Sequence, residues 1–308
     1  MKRCDLNRTY GTQARPGSRS LRMVFAAPAR LSALVASMVA ALALLPIRPA
    51  AAAAQSIQIS YLVSVIGVPL GMAEARAKLE RSHYSIEAEA KLTGIAALIA
   101  SSKGAATASG SIVAGRVAPA DYATTAANSE LTRTVRMAMD AGTVKGVDID
   151  PPFEDAPGRV PVTRAQKRHI VDPLSAFVMT VPPDAPLVGP SACNRRIPVF
   201  DGYARFDIDL TYVGTRMLRT KGYFGPVSVC AARFVPIAGL QMDRPGTRFM
   251  AQNRRLQVWL APVASARIEL PVRISIETMV GMTMLRATQV SFGAPSSQFR
   301  GGAQIRRH

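Results

Sequence analysis

The 308-residue chain carries 38 Lys and Arg against 20 Asp and Glu, a formal net charge of +18, with 48% hydrophobic residues, three Cys and three His. That length is ample for one large core or two small ones, and so few His, one of them terminal, exclude a histidine-rich metal centre. No P-loop or Rossmann glycine pattern occurs at a strand-to-helix junction, so no cofactor is expected.

The N-terminal region has the order of an export signal. Leu31 to Pro46 (LSALVASMVAALALLP) is free of charge and follows Arg22 and Arg30, as the h-region of a secretory signal peptide follows its n-region. The next residues place small side chains at Ala52 and Ala54, which predicts cleavage after Ala54 and makes residues 1–54 a signal peptide with a preceding extension. The apolar run falls short of the about 20 residues of a spanning helix, which leaves an uncleaved anchor as the lesser reading and no transmembrane span after cleavage. Met1 and Met23 both fit as initiators, and no Cys follows the cleavage site to carry a lipid anchor.

Removing residues 1–54 subtracts eight Lys/Arg and one Asp from the totals, leaving 30 basic and 19 acidic side chains and a net charge of +11. Such a surface favours anionic partners, lipid headgroups or acidic polymers among them, and in an exported protein nucleic acid is not the expected target. The same charge also reads as plain solvation.

In chain order, strands are predicted at Ser56–Ile66, Gly71–Glu80, His83–Leu92, Lys103–Ala114, Asp121–Thr125, Leu131–Ala138, Thr143–Val147, Tyr203–Tyr212, Val227–Phe234, Leu256–Ala261, Ala264–Glu277 and Met284–Phe292. The clearest is Ala264–Glu277, where Ile268, Leu270, Val272, Ile274 and Ile276 alternate with Arg267, Glu269, Pro271, Arg273, Ser275 and Glu277. A period of two held this long reads as one buried and one wet face. Turn signals such as Asp140-Ala141-Gly142 and Asp201-Gly202 join neighbours into a meander.

Two short helices are predicted. Thr93–Ser101 is apolar, and Asp172–Met179 opens with an N-cap Asp and Pro at the first helical position. The Pro-rich stretches Asp150–Thr163 and Val181–Pro190 read as covering loops. The fold class is therefore mainly β: a large curved antiparallel sheet of ten or more strands, an open barrel or half-barrel, with two short helices on its concave face. Residues 55–293 are taken as a single β-rich domain, with a boundary near 151 or 191 as the alternative, and residues 294–308 as a disordered basic tail.

Chemistry is sparse. His169, Asp172 and Ser175 supply the residue types of a hydrolase, yet no G-x-S-x-G turn presents the serine, and Asp172 reads more simply as a helix cap. The acids Asp148, Asp150, Glu154 and Asp155 lack the glycine-turn spacing of a calcium loop and read as a solvated surface. No catalytic or metal-binding residue is assigned. Cys193 and Cys230, without C-x-x-C spacing, are expected to form a disulfide in an oxidising compartment, contributing about 4 kcal/mol by the chain-entropy model. Pocket-lining residues are expected at Ile95 and Leu98 of the first helix, Leu174 and Phe177 of the second, and Met279, Met282 and Met284; the methionines read equally as core filling.

The runs Cys193–Asp207, Gly222–Cys230, Pro236–Gly239 and Val258–Pro262, with Val171–Ala176 upstream, resemble the family of exported proteobacterial envelope proteins called domain of unknown function 3108. That resemblance implies export and a predominantly antiparallel sheet; it brings no catalytic set. An open barrel closed by small helices is also similar in architecture to the periplasmic lipoprotein carriers, which shelter acyl chains. The expectation is a periplasmic, non-catalytic binding or envelope-maintenance protein holding a lipid or other amphipathic ligand. The alternatives are an interaction module with an envelope protein partner and, less favoured, a hydrolase of envelope polymers.

Overall fold

The computed structural model describes residues 55–293 apart from 81, 95–96, 98–101 and 155. The expected signal peptide with its cleavage site at Ala54, the pocket candidates Ile95 and Leu98, and the basic tail lie outside the described residues.

Fourteen strands form one antiparallel sheet. The first seven are β1 (Gln55–Val65), β2 (Val68–Leu79), β3 (His83–Leu92), β4 (Ser102–Val113), β5 (Arg116–Asn128), β6 (Thr132–Asp140) and β7 (Thr143–Asp150). After a long connection come β8 (Met179–Thr180), β9 (Arg195–Phe200), β10 (Arg205–Thr220), β11 (Tyr223–Ala238), β12 (Leu256–Val263), β13 (Ile268–Thr278) and β14 (Gly281–Gly293). Each half is a meander, and β1 pairs with β14 to join them, giving the order 7-6-5-4-3-2-1-14-13-12-11-10-9. The outer strands β7 and β9 do not pair, so the curved sheet stays unclosed.

The connection between β7 and β9 fills this gap. Ile170 N–H donates to the Gly142 carbonyl at 3.0 Å in the β6–β7 turn, while Val171 N–H donates to Pro198 at 2.8 Å and Val171 C=O accepts from Phe200 at 3.0 Å on β9. One short segment thus satisfies backbone groups at both sides of the opening. Its side chains Ile170, Leu174 and Val178 are buried in the main apolar core with Ile57, Ile59 and Tyr61 of β1. Burying each aliphatic side chain of this kind contributes about 1.5–3 kcal/mol.

Among the described residues the helices given in full are α1 (Pro190–Cys193) and α2 (Pro245–Gln252), neither of which was predicted. Thr93–Ser101 falls largely on residues outside the description. In Asp172–Met179 the cap forms as expected, Asp172 Oδ1 accepting from the Leu174 and Ser175 amides at 2.9 Å each. Only a single 3-10 turn follows, at Ser175–Phe177, because Val178 is already extended and Met179–Thr180 pair with Glu269 and Ile268 of β13. Tertiary pairing overrides the local start signal.

A second correction concerns β13. The chain turns through a 3-10 segment at Ala264–Ala266 and a left-handed Arg267 (φ 49°), so the strand begins at Ile268. Its first five residues are all buried: β8 and the apolar cluster around Met179, Val181 and Leu260 cover the face that the alternation left wet. Glu269 is consequently fully buried. The disulfide between Cys193 and Cys230 is present, with Cα atoms 5.4 Å apart, and ties α1 to the centre of β11.

Candidate functional site

The inner face of the first half-sheet is built in cross-strand rows of small residues. Register places Ile59, Ala75, Ala88, Ala106, Thr124 and Val135 side by side across β1 to β6. The neighbouring row runs Tyr61, Ala73, Ala90, Gly104, Ala126 and Arg133. On alternate positions the outer face carries Arg76, Glu87, Thr107 and Arg136, as a half-wet antiparallel sheet requires. Because methyl groups and a glycine stand where larger side chains would fill a core, the inner surface recedes.

Two cavities result. One of about 120 Å³, almost wholly apolar, lies between Ala75, Ala88 and Ile59 on one side and Leu174, Phe177 and Leu285 on the other. The second, about 660 Å³, lies over Tyr122, Thr124 and Ala126 and is walled by Phe153, Pro173, Tyr203 and Leu240. The larger falls within the range of small-molecule sites, about 300–1,000 Å³.

On the wall of the larger cavity Arg133, Phe153 and Tyr203 form a chain of cation and ring contacts that continues to Arg159 beyond the lining. The Arg133 guanidinium lies 4.0 Å from the Phe153 ring centre, the Phe153 and Tyr203 ring centres are 4.2 Å apart, and the Arg159 guanidinium lies 3.8 Å from the Tyr203 ring centre. Backbone carbonyls hold both arginines in place: Arg133 Nε donates to Pro151 at 2.9 Å, and Arg159 donates to Gly239 and Tyr203 at 3.0 Å each. Asp201, also on the wall, accepts the Tyr203 and Ala204 amides. Burial raises its carboxyl above the usual range despite those bonds and pushes the Tyr122 hydroxyl up to about 12.

Of the residues picked from sequence, Leu174 and Phe177 line the smaller cavity, Leu174 buried and Phe177 38% exposed. The methionines do not line either cavity. Met279 sits in the β13–β14 turn at 67% exposure, and Met282 and Met284 alternate along β14 with the inward Leu285, so the period of two turns them outward. The rim residues Arg133, Phe153, Arg159 and Tyr203 were not anticipated. Arg133 had one legible signal, an arginine sharing the parity of Val135 and Met137 on an otherwise apolar strand face. Phe153 and Arg159 lie in the Pro-rich connection, where no periodicity operates.

The hydrolase residues do not assemble. His169 is exposed at φ 55°, whereas Asp172 and Ser175 are buried and engaged with backbone amides and the Tyr84 hydroxyl. An acid that caps a turn and a base on the surface do not form a relay to the serine.

Fold and cavities together define an open, barrel-like antiparallel β protein with an apolar concave face and a basic rim. The chain belongs to the family described as Protein of unknown function (DUF3108), whose model matches residues 58–288. No curated protein matches the chain. Among solved structures it is similar to the beta-barrel-like protein of domain of unknown function DUF1849 from Brucella abortus, at 6% identity and a TM-score of 0.46, over 78% of this chain and 98% of that one. Among the described residues no helix is long and apolar enough to cross a membrane.

Proposed function

We propose that this is a non-catalytic binding protein of the cell envelope, exported to the periplasm and cleaved after Ala54, which holds a lipid or other amphipathic ligand in the concave face of its sheet. The observation that carries the reading is the pairing of a receded alanine floor with the Arg133–Phe153–Tyr203–Arg159 rim beside a cavity of about 660 Å³. An acyl chain is recognised by shape and apolar contact alone, which methyl-lined walls supply. Fixed guanidinium groups at the mouth suit a phosphate or carboxylate head. The Cys193–Cys230 bond fits an oxidising compartment.

The test is native mass spectrometry of protein produced in the periplasm, with displacement of a fluorescent fatty-acid probe. Bound lipid and probe displacement are expected in the parent. Ala126→Trp, which fills the larger cavity, is expected to abolish both while leaving the unfolding midpoint near its parent value. Protein without lipid that also fails to bind the probe overturns the reading.

A further inference from the structure

Two neighbouring turns expose more apolar surface than the fold needs. The β1–β2 turn carries Ile66 and Val68 at 70% and 57% exposure, and the β13–β14 turn carries Met279 and Val280 at 67% and 70%. The turns touch: Ile66 N–H donates to the Met282 carbonyl at 2.9 Å, and the Ile66 side chain lies directly over Gly281. These four side chains form one ledge at the end of the sheet.

The backbone makes the choice of Ile66 notable. Ile66 and Gly67 have φ values of 50° and 80°, the conformation of a two-residue hairpin turn that ordinarily takes Asn-Gly or Asp-Gly. A β-branched residue is costly there, and an exposed one gains no burial in return, so stability does not account for it. Below the ledge the apolar surface continues through the outward Met282 and Met284 and through Met72, which is 49% exposed. Methionine clusters suit adaptable contact surfaces.

Arginines flank this ledge. Asn253 Nδ2 donates to the Glu277 carbonyl at 2.8 Å and Glu277 N–H donates to the Arg255 carbonyl at 3.1 Å, which fixes Arg254 and Arg255 beside the Met279 turn. Arg255 pairs with Glu277 at 2.9 Å; Arg254 is exposed and forms no salt bridge among the described residues. On the outward parity of β14, Arg286 stands directly opposite Arg273 of β13, like charge against like. The Arg273 guanidinium packs 4.7 Å from the Trp259 ring centre, while Arg286 is exposed and forms no salt bridge among the described residues.

We propose that this end of the sheet docks on an anionic lipid bilayer, with Ile66, Val68, Met279 and Val280 entering the headgroup region and Arg254 and Arg286 meeting lipid phosphates. A protrusion of four side chains on two turns is far short of the roughly 800 Å² per partner that a stable protein interface buries. Shallow interfacial insertion needs only a few apolar groups with cations around them. The β5–β6 turn lies at the same end of the meander, and Asn128 and Leu131 beside it line the larger cavity. Docking therefore presents the cavity mouth to the membrane. That consequence rests on the function proposed above; the docking itself does not.

The test is cosedimentation of the full secreted chain with phosphatidylcholine vesicles, with and without phosphatidylglycerol. Binding to the anionic vesicles only is expected, reduced at least tenfold in I66N/V280S and several-fold in R254S/R286S or at about 0.5 M salt. Asn at position 66 suits the turn, so an unchanged urea midpoint verifies that I66N/V280S is folded. Absence of binding to anionic vesicles, or equal binding by I66N/V280S, overturns the proposal. So does capture of a protein by a photocrosslinker at position 66 without vesicle binding. Fatty-acid probe binding measured on the same variants separates the two readings: vesicle binding without probe binding removes the cavity's proposed ligand and leaves the docking surface standing.

Discussion

The Tyr84 hydroxyl lies 2.7 Å from that of Ser175, 91 residues further along the chain, in a buried contact between β3 and the segment that fills the open side of the sheet. This is the polar fastening of that segment. Asp172 arranges the turn, and Tyr84 receives it.

Removing one hydroxyl strands the other in an apolar surrounding. Tyr84→Phe and Ser175→Ala are each expected to lower stability by about 1–3 kcal/mol, and the double variant by less than their sum, since it leaves no orphan. Urea unfolding of the three variants measures the coupling; strict additivity would show that the hydroxyls do not interact.

Reduction of Cys193–Cys230 is expected to lower stability by about 2–5 kcal/mol, because the bond closes a loop between residues 37 positions apart and so restricts the unfolded chain. Unfolding midpoints with and without dithiothreitol, and of C193S/C230S, should shift together.

Glu269 gives stability a pH dependence. Burial dominates and pushes its carboxyl from 4.5 to about 8, against the lowering effects of the Ser228 hydrogen bond at 2.9 Å and the Arg195 charge. The folded chain therefore keeps a proton that the unfolded chain releases: the contribution is full below about pH 4.5, declines as pH rises, and is lost above about pH 8. Midpoints measured across that window are expected to fall more steeply for the parent than for Glu269→Gln. Parallel curves would refute this.

Gly222 turns β10 into β11 at φ 79°, and a Cβ there would fall on the Val290 carbonyl oxygen, beside the bond from Val290 N–H to Lys221 at 2.8 Å. Gly115, at φ 72°, has open space around it. Gly115→Ala is expected to cost about 1 kcal/mol from backbone conformation alone, and Gly222→Ala clearly more because β14 must move. Equal losses in denaturant titrations would show that the hairpin tip is free of β14.

Alternation along single strands was enough to mark most of the sheet, and its antiparallel order followed from short turns such as Asp140-Ala141-Gly142. Both are local: side-chain parity and turn backbone are set within a few residues. The pairing of Cys193 with Cys230 was legible for a different reason, since two thiols beyond residue 54 leave one partner each. Tertiary structure alone decided where the surface is double-sided and where it recedes. Glu269 shared the parity of polar residues yet is buried, because its β8 partner Met179 arrives from 90 positions earlier in the chain. Met282 and Met284 had the composition of a pocket, but register with Leu285 faces them outward. Arg133, Phe153, Tyr203 and Arg159 meet only when the connection after β7 folds back across the opening, and a contact made by chain return leaves no periodic trace in the residues that make it.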